Sequence, residues 1–340
     1  MIKVGLVGLG FIGRTHLTRY LESEMADLVA VADLKIEEFR RGDSEIISDP
    51  RMPSLTMPEA VATFSTIDEM LEKVDLDMVD ICLPTFLHAE ATVKAAQAGR
   101  HVLCEKPMAL TAAECQTMID AARHNGVQLL IAQCVRFWPE YAYLRDVLDS
   151  QRLGRLLSLN MRRLAAPPLW SWQSWLLDAS ASGGTLVDLH IHDVDFINSM
   201  LGPPSAVFAQ GASQGTTGGI DVVLGNLLYP GMRVSAEAGW MNAPGFRSHQ
   251  SYEALFEKGL VRMAPDQEQR LMVYEQGKEP VMPVLSGPDG YTAEIELFLE
   301  CLSQGRDVGS ILPPESPKTS LEIVLTEKES IARGEIVPFG

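Results

Sequence analysis

Cysteine is scarce in this sequence and follows no pattern: Cys82, Cys104, Cys115, Cys134 and Cys301 make five, with no C-x-x-C pair among them. An odd count without paired spacing argues against both a disulfide framework and a zinc site. Three of the five, Cys82, Cys104 and Cys134, fall in apolar strand-like runs, where a thiol behaves as a small buried hydrophobe. Long hydrophobic runs are missing too. No stretch reaches the length of a membrane span and no secretory signal precedes the first strand, so no membrane partner is expected and the cytoplasm is the expected compartment. Basic charge is also short: 28 Lys and Arg against 45 Asp and Glu leave a formal net charge of −17. Such a surface repels phosphate backbones and anionic lipid, so nucleic acid is not an expected partner either. A local spot such as Arg162-Arg163 could still bind an anion. Internal repeats and low-complexity segments are absent.

What is there is enough for two cores. At 340 residues the chain exceeds the usual single domain, and 46% hydrophobic content with a mean hydropathy of +0.05 is ordinary for a globular protein. The first thirty residues organise the rest. Ile2 to Val7 reads as a strand, Gly8-Leu9-Gly10-Phe11-Ile12-Gly13 as a turn opening a helix, and Leu28 to Ala32 as a second strand ending on Asp33. A strand feeding G-x-G-x-x-G at a helix start aims backbone N–H groups and the positive helix end at a pyrophosphate. Asp33 lies twenty positions past Gly13, where a carboxylate accepts from the free ribose 2′-OH of NAD but repels the phosphate of NADP. At about 4 Å and an effective dielectric near 20, each like-charge pair costs on the order of 4 kcal/mol. NAD is therefore the expected cofactor and NADP the less favoured one, with Lys35 near enough in sequence to soften the preference.

Strands continue to alternate with helices through residue 135. A charged helical stretch follows Asp33, then a loop marked by Pro50, Pro53 and Pro58, and Thr66-Ile67-Asp68-Glu69 reads as a capping box. Met78 to Leu83 is a strand interrupted by Asp80. A helix from about His88 ends at Gly99, and His101 to Cys104 is the next strand. Thr111-Ala112-Ala113-Glu114 opens a further helix, and Val127 to Cys134 is the last strand of the series. The pattern predicts an α/β chain with an N-terminal Rossmann domain over 1–135. Beyond Trp138-Pro139, strand-like runs follow one another at Arg155 to Leu164, Ser205 to Gln210, Ile220 to Tyr229, Met232 to Met241 and Arg270 to Tyr274. These predict a C-terminal α+β domain over 136–340, with an open, largely antiparallel sheet. Helices are expected after Gly183-Gly184, near Tyr291 to Leu302, and from Ser316-Pro317 onward.

Three clusters sit where chemistry is expected. Pro84-Thr85-Phe86-Leu87-His88 lies at the carboxyl end of a sheet strand, beside the nicotinamide in this architecture, and Glu105-Lys106-Pro107 lies likewise at the end of the next. Partial burial of Lys106 there would let it polarise a substrate oxygen or relay its proton. A cis Lys106-Pro107 bond would aim that side chain inward. In the third cluster, Asp188 and His192 are four apart and share a face if helical, so that the carboxylate holds the imidazole. Val187, Ile191, Val194 and Leu201 make the apolar stripe opposite. As a strand, Asp188, His190 and His192 would instead line one face like a metal site, but the helical pattern argues for no metal. Trp138, Trp170, Trp172 and Trp175 fit either core packing or flat faces for the C–H surface of a sugar or cyclic polyol.

In order along the chain, Gly8 to Gly13, Pro84-Thr85 with His88, Glu105-Lys106-Pro107, Arg136-Phe137-Trp138-Pro139, and Gly183-Gly184 followed by Asp188, His192 and Asp195 resemble the glucose-fructose oxidoreductase / inositol dehydrogenase family, Gfo/Idh/MocA. The resemblance implies a Rossmann domain plus an open-faced sheet domain that pairs subunits into homodimers or homotetramers. It implies an NAD-dependent dehydrogenase acting on a secondary hydroxyl of a sugar, sugar derivative or cyclitol. Lys106, Asp188 and His192 are then the catalytic set, with His192 as base, Asp188 orienting it and Lys106 holding the reacting oxygen. Gly8, Gly10, Phe11, Ile12, Gly13, Asp33, Pro84, Thr85, His88, Glu105 and Lys106 are expected around the cofactor, and Arg136, Trp138, Trp172, Trp175 and His190 around the substrate. Alternative readings are a lyase or glycosidase that uses bound NAD for transient oxidation, and a non-catalytic NAD-binding protein. Two positions depart from the family pattern: Ser182 stands at a usual glycine and His190 at a usual small residue. Cys134-Val135-Arg136-Phe137-Trp138 also replaces the double-arginine pattern of some inositol dehydrogenases.

Overall fold

A computed structural model describes residues 1–41, 57–241, 243, 245–246, 248–264 and 270–340. The expected prolines Pro50 and Pro53 lie outside the described residues. The chain divides into two compact units: 1–133, 169–175 and 291–318 form the first, and 134–168, 176–290 and 319–340 the second. The division is thus not a single cut, since two later segments fold with the N-terminal strands.

The first unit carries a six-stranded sheet: β1 (Ile2–Val7), β2 (Ala26–Ala32), β3 (Ala62–Phe64), β4 (Met78–Ile81), β5 (His101–Glu105) and β6 (Leu129–Ala132). Its order is β3-β2-β1-β4-β5-β6, with every pairing parallel. The connecting helices are α1 (Phe11–Glu22), α2 (Ile36–Arg41), α3 (Ile67–Lys73), α4 (His88–Gln97) and α5 (Ala112–His124). Val4, Leu6, Val31, Met78, Leu103 and Leu130 of the strands pack with Leu17 and Tyr20 of α1. Burying each such side chain contributes about 1.5–3 kcal/mol. The strand order reverses between β1 and β4, so the loops after these two strands flank the crevice where ligands bind in this architecture. Thr111 forms the full capping box expected at α5, accepting from the Glu114 N–H at 3.2 Å while Glu114 accepts from the Thr111 N–H at 3.0 Å.

The second unit opens with α6 (Pro139–Ser150), where the sequence reading placed no helix. Pro139 occupies its first turn, where a missing N–H costs nothing, and Tyr141, Leu144 and Val147 turn inward at helical spacing. There follow β7 (Leu156–Ala165), α7 (Ala179–Ser182), a π-helical turn (Thr185–His190), α8 (Ile191–Leu201), β8 (Ala206–Ala212), β9 (Val222–Tyr229), β10 (Met232–Trp240), β11 (His249–Phe256), β12 (Gly259–Met263) and β13 (Leu271–Glu275). After α9 (Gly290–Gln304) and α10 (Glu315–Arg333), β14 (Val337–Pro338) completes an eight-stranded sheet of order β13-β12-β11-β7-β10-β9-β8-β14. Its pairings are antiparallel except β7 with β10. The hairpin of β11 and β12 escaped the sequence reading. Its buried Tyr252, Ala254 and Phe256 do alternate, but Glu253 and Ala254 are weak strand formers.

Ile295, Phe298 and Leu299 of α9 are buried in the same core as β1 and β4. All five cysteines are free and buried. No helix among the described residues is long and apolar enough to cross a membrane.

Candidate active site

The glycine turn after β1 is built by contact distance. Gly8 sits at φ +95°, and a Cβ there would lie 2.5 Å from the Cys82 carbonyl oxygen; a Cβ on Gly13 would lie 1.9 Å from the Gly8 carbonyl oxygen. Strand, turn and helix therefore touch backbone to backbone. At Gly10, which caps α1, a Cβ would meet no protein atom within 4 Å. That open side at a helix N-terminus is the room a pyrophosphate needs, so the residues present fit a dinucleotide.

Asp33 is fixed through both oxygens: the Leu9 N–H donates to Oδ2 at 2.7 Å and the Lys35 N–H to Oδ1 at 2.8 Å. The carboxylate is thereby tied to the glycine turn itself, still able to accept from a ribose hydroxyl. Lys35 leans toward Glu38, 3.7 Å away, which draws its charge from the Asp33 carboxylate. Asp33→Ser is expected to weaken NAD binding at least tenfold, about 1.4 kcal/mol, and to narrow the preference over NADP. Titration of both cofactors by tryptophan quenching reads this.

At the ends of β4 and β5 the expected cofactor-side residues take different places. Thr85 is buried in a short 3-10 turn (Thr85–Leu87), following Pro84. His88 is 1% exposed, with Nδ1 2.8 Å from the Pro107 carbonyl oxygen and Nε2 2.7 Å from the Leu83 carbonyl oxygen. Both ring nitrogens thus face backbone carbonyls and neither is presented to a ligand; the neutral imidazole donates its one N–H to one of the two. Burial pushes its imidazole below the ordinary value, against the pull of the two carbonyls. Lys106 is half-buried, and its peptide bond to Pro107 is cis.

Sequence reasoning noticed Asp80 only as an interruption, but it is the centre of a buried cluster. The Tyr20 hydroxyl donates to Asp80 Oδ2 at 2.8 Å, and His16 Nδ1 stands 2.8 Å from the same oxygen. His16 was missed. A carboxylate inside a strand buried on both faces demands a partner, and a histidine three residues past Gly13 was the available signal. Burial works against a charged imidazole at His16, yet Cys82 and Asp80 outweigh it and raise its pKa well above the ordinary value. Because burial also pushes the Cys82 thiol up, Asp80 is the partner that matters near neutral pH.

The segment 169–175, also in the first unit, brings its aromatic rings to this region. Trp170 packs against Phe11 of the glycine turn with centroids 5.1 Å apart, and Trp175 meets Phe86 edge-on at 6.4 Å. Trp172 is 40% exposed. Of the expected substrate-side tryptophans, Trp172 and Trp175 thus lie in the first unit, and Trp138 lies in the second, against the backbone of Gly290.

In the second unit the helix expected after Gly183-Gly184 forms, opening as the π turn and continuing directly into α8. Asp188 lies in the π turn and His192 in the first turn of α8, on either side of a change of pitch, both half-buried. The strand form that would align Asp188, His190 and His192 is not what the chain adopts. Val187, Ile191 and Val194 are buried as expected. His190 is wholly buried, with Nε2 3.0 Å from Glu327 Oε2 of α10, where a Cβ on Gly225 would strike the Glu327 carboxylate. It is an interior residue of this unit and lines no open surface.

Arg136 is likewise engaged in the interior of the second unit. Its Nε and Nη2 each reach a carboxylate oxygen of Asp195 at 2.6 Å, and Asp195 also accepts from Ser320 at 2.8 Å. Breaking a buried pair of this kind costs about 3–5 kcal/mol, so Arg136 anchors α8 and is not free for a substrate. Arg162 pairs with Glu237 at the surface and Arg163 with buried Asp193, so both guanidinium groups already face a carboxylate. Ser182 uses its hydroxyl within the turn, accepting from the Gly184 N–H at 2.9 Å and donating to the Leu176 carbonyl at 2.9 Å.

A parallel sheet in this strand order, with a glycine turn and an acid at its switch point, defines a dinucleotide-binding Rossmann protein. Residues 2–133 match the family described as "Oxidoreductase family, NAD-binding Rossmann fold", and residues 141–262 match the GFO/IDH/MocA C-terminal domain. The chain belongs to the Gfo/Idh/MocA oxidoreductase family. Levoglucosan dehydrogenase of Pseudarthrobacter phenanthrenivorans is 33% identical over 218 residues, covering 61% of this chain and 53% of that protein. 2,7-Anhydro-N-acetylneuraminate hydratase of Escherichia coli is 28% identical over 203 residues, covering 59% and 50%. The chain spans about half the length of these curated relatives in the matched region. In fold, it is similar to a solved levoglucosan dehydrogenase in complex with NADH and levoglucosan, with a TM-score of 0.81, 24% identity and 99% of both chains covered.

Proposed function

We propose that this protein is an NAD-dependent dehydrogenase that oxidises a secondary hydroxyl of a sugar, sugar derivative or cyclitol. The observation that carries the reading is the Glu105-Lys106-Pro107 turn at the end of β5, one strand from the switch point of a chain in this oxidoreductase family. The turn after β1 and Asp33 would hold the dinucleotide, whose nicotinamide supplies the hydride acceptor. Lys106 holds the reacting oxygen, His192 takes the hydroxyl proton, and Asp188 orients the imidazole. General-base assistance of this kind contributes typically about 10²–10⁴-fold in rate. Trp172, with its exposed ring, is the best placed of the tryptophans to lie against the C–H face of a sugar. A homodimer or homotetramer working in the cytoplasm goes with this reading.

The test is incubation with NAD and a panel of hexoses, pentoses, cyclitols and glycosides. NADH absorbance rising with one class is the expected result. A second reading is favoured by the relative named as a hydratase: transient oxidation on a retained cofactor. It predicts product without accumulation of NADH, and this outcome would replace the first reading.

A further inference from the structure

The turn that carries Lys106 leaves the sheet immediately after Glu105, so no strand ladder holds it. It is held instead from two sides by buried imidazoles. On one side, His16 of α1 stands with Nε2 3.2 Å from Glu105 Oε1, and the other oxygen, Oε2, accepts from the Lys106 N–H at 3.0 Å. His16 is in turn anchored on Asp80, 2.8 Å from Nδ1. On the other side, His88 reaches the carbonyl of Pro107, the residue directly after Lys106, and that of Leu83. His16 and Asp80 are wholly buried, His88 is 1% exposed and Glu105 5%.

We propose that His16 and His88 are positioning residues that clamp the Lys106 turn, His16 through the Glu105 carboxylate and His88 through the Pro107 carbonyl. This rests on the role proposed above for Lys106. The imidazole makes a hydrogen bond to Asp80 and, through Nε2, an ion pair without hydrogen-bond alignment to Glu105, and it attracts both carboxylates only when it carries both protons. The groups that face His16 are Asp80 and Cys82 from β4 and the loop after it, Glu105 from β5, Tyr20 from its own helix, and Glu294 and Tyr291 from α9. The side chain of a reacting residue acts only when its backbone is held within a fraction of an ångström, and misplacement by about 1 Å costs on the order of 10²-fold. The two clamps act on the residues either side of Lys106, at the Glu105 carboxylate and the Pro107 carbonyl.

The test compares His16→Gln, His88→Gln, His88→Ala and Lys106→Ala in the intact protein. For His16→Gln and His88→Ala, kcat is expected to fall about 10–100-fold, with NAD binding within twofold of wild type. His88→Gln, which keeps one donor, recovers part of the loss. The raised pKa of His16 sets the sign of the pH response. The charged clamp is complete below the ordinary histidine value of about 6.5 and is lost as pH rises through the raised value, so kcat and melting temperature of wild type both fall on that alkaline limb. His16→Gln lacks that limb, whereas a purely structural role would lower melting temperature without reshaping the kcat profile of the folded enzyme. If His16→Gln does not fold, Glu105→Gln breaks the same link and is read by the same criteria. Lys106→Ala inactive with normal kcat and pH profile in the clamp variants overturns this inference alone; Lys106→Ala fully active overturns the role of Lys106 beneath it.

Discussion

Lys106→Ala is expected to lose turnover by about 10²–10⁴-fold while NAD still binds. The separation follows from where the residue stands. Lys106 follows β5, whereas the dinucleotide cradle is made by backbone at Gly8 to Gly13 and by the Asp33 carboxylate, which the Leu9 N–H ties to that turn. Removing the amine therefore takes away a group that acts on the reacting oxygen and leaves the cradle intact. Cofactor titration paired with single-turnover kinetics on a substrate from the panel gives both quantities. Activity close to wild type would contradict the assignment, and joint loss of turnover and NAD binding would mean that the lysine belongs to the cofactor cradle.

Gly13→Ala should abolish cofactor binding and lower the melting temperature together. The new methyl would lie 1.9 Å from the Gly8 carbonyl oxygen, 2.9 Å from the Gly8 carbonyl carbon and 3.3 Å from the Cys82 Cβ. These are backbone atoms and the root of a side chain, so the helix must move away from the turn. Overpacking of this kind costs about 1–3 kcal/mol. Gly10→Ala is the matched control, because a Cβ there meets no protein atom within 4 Å. It should melt like wild type and still bind NAD poorly, its methyl filling the space over the helix N-terminus. Equal melting temperatures for Gly13→Ala and Gly10→Ala would refute the packing account.

Much of the first unit was legible because a parallel sheet is assembled from local units, each an apolar run, a turn and a capped helix. Glycine spacing announced the turn after β1, and Thr111 with Glu114 announced α5. The second unit was less legible. Its hairpin of β11 and β12 alternates correctly but with weak strand formers, and α6 follows a Trp-Pro pair that reads as a break. Candidate site residues divide by the same logic. Residues whose role is carried by backbone, Gly8, Gly10 and Gly13, stand where the motif puts them. Those whose role depends on what lies opposite were less legible: Arg136, His190 and His88 each meet buried partners, and the helix carrying Asp188 and His192 changes pitch between them.

By itself the sequence determined the cofactor-binding architecture, the acid that follows β2, and the lysine turn at the end of a sheet strand. Only the tertiary structure decided which charges are used up in the interior. His16 meets Asp80 across 64 residues and Arg136 meets Asp195 across 59, and the segments 169–175 and 291–318 join the first unit. Periodicity along a chain records which face of an element is buried; it carries no record of the group that faces it, because that pairing is set by how distant elements pack.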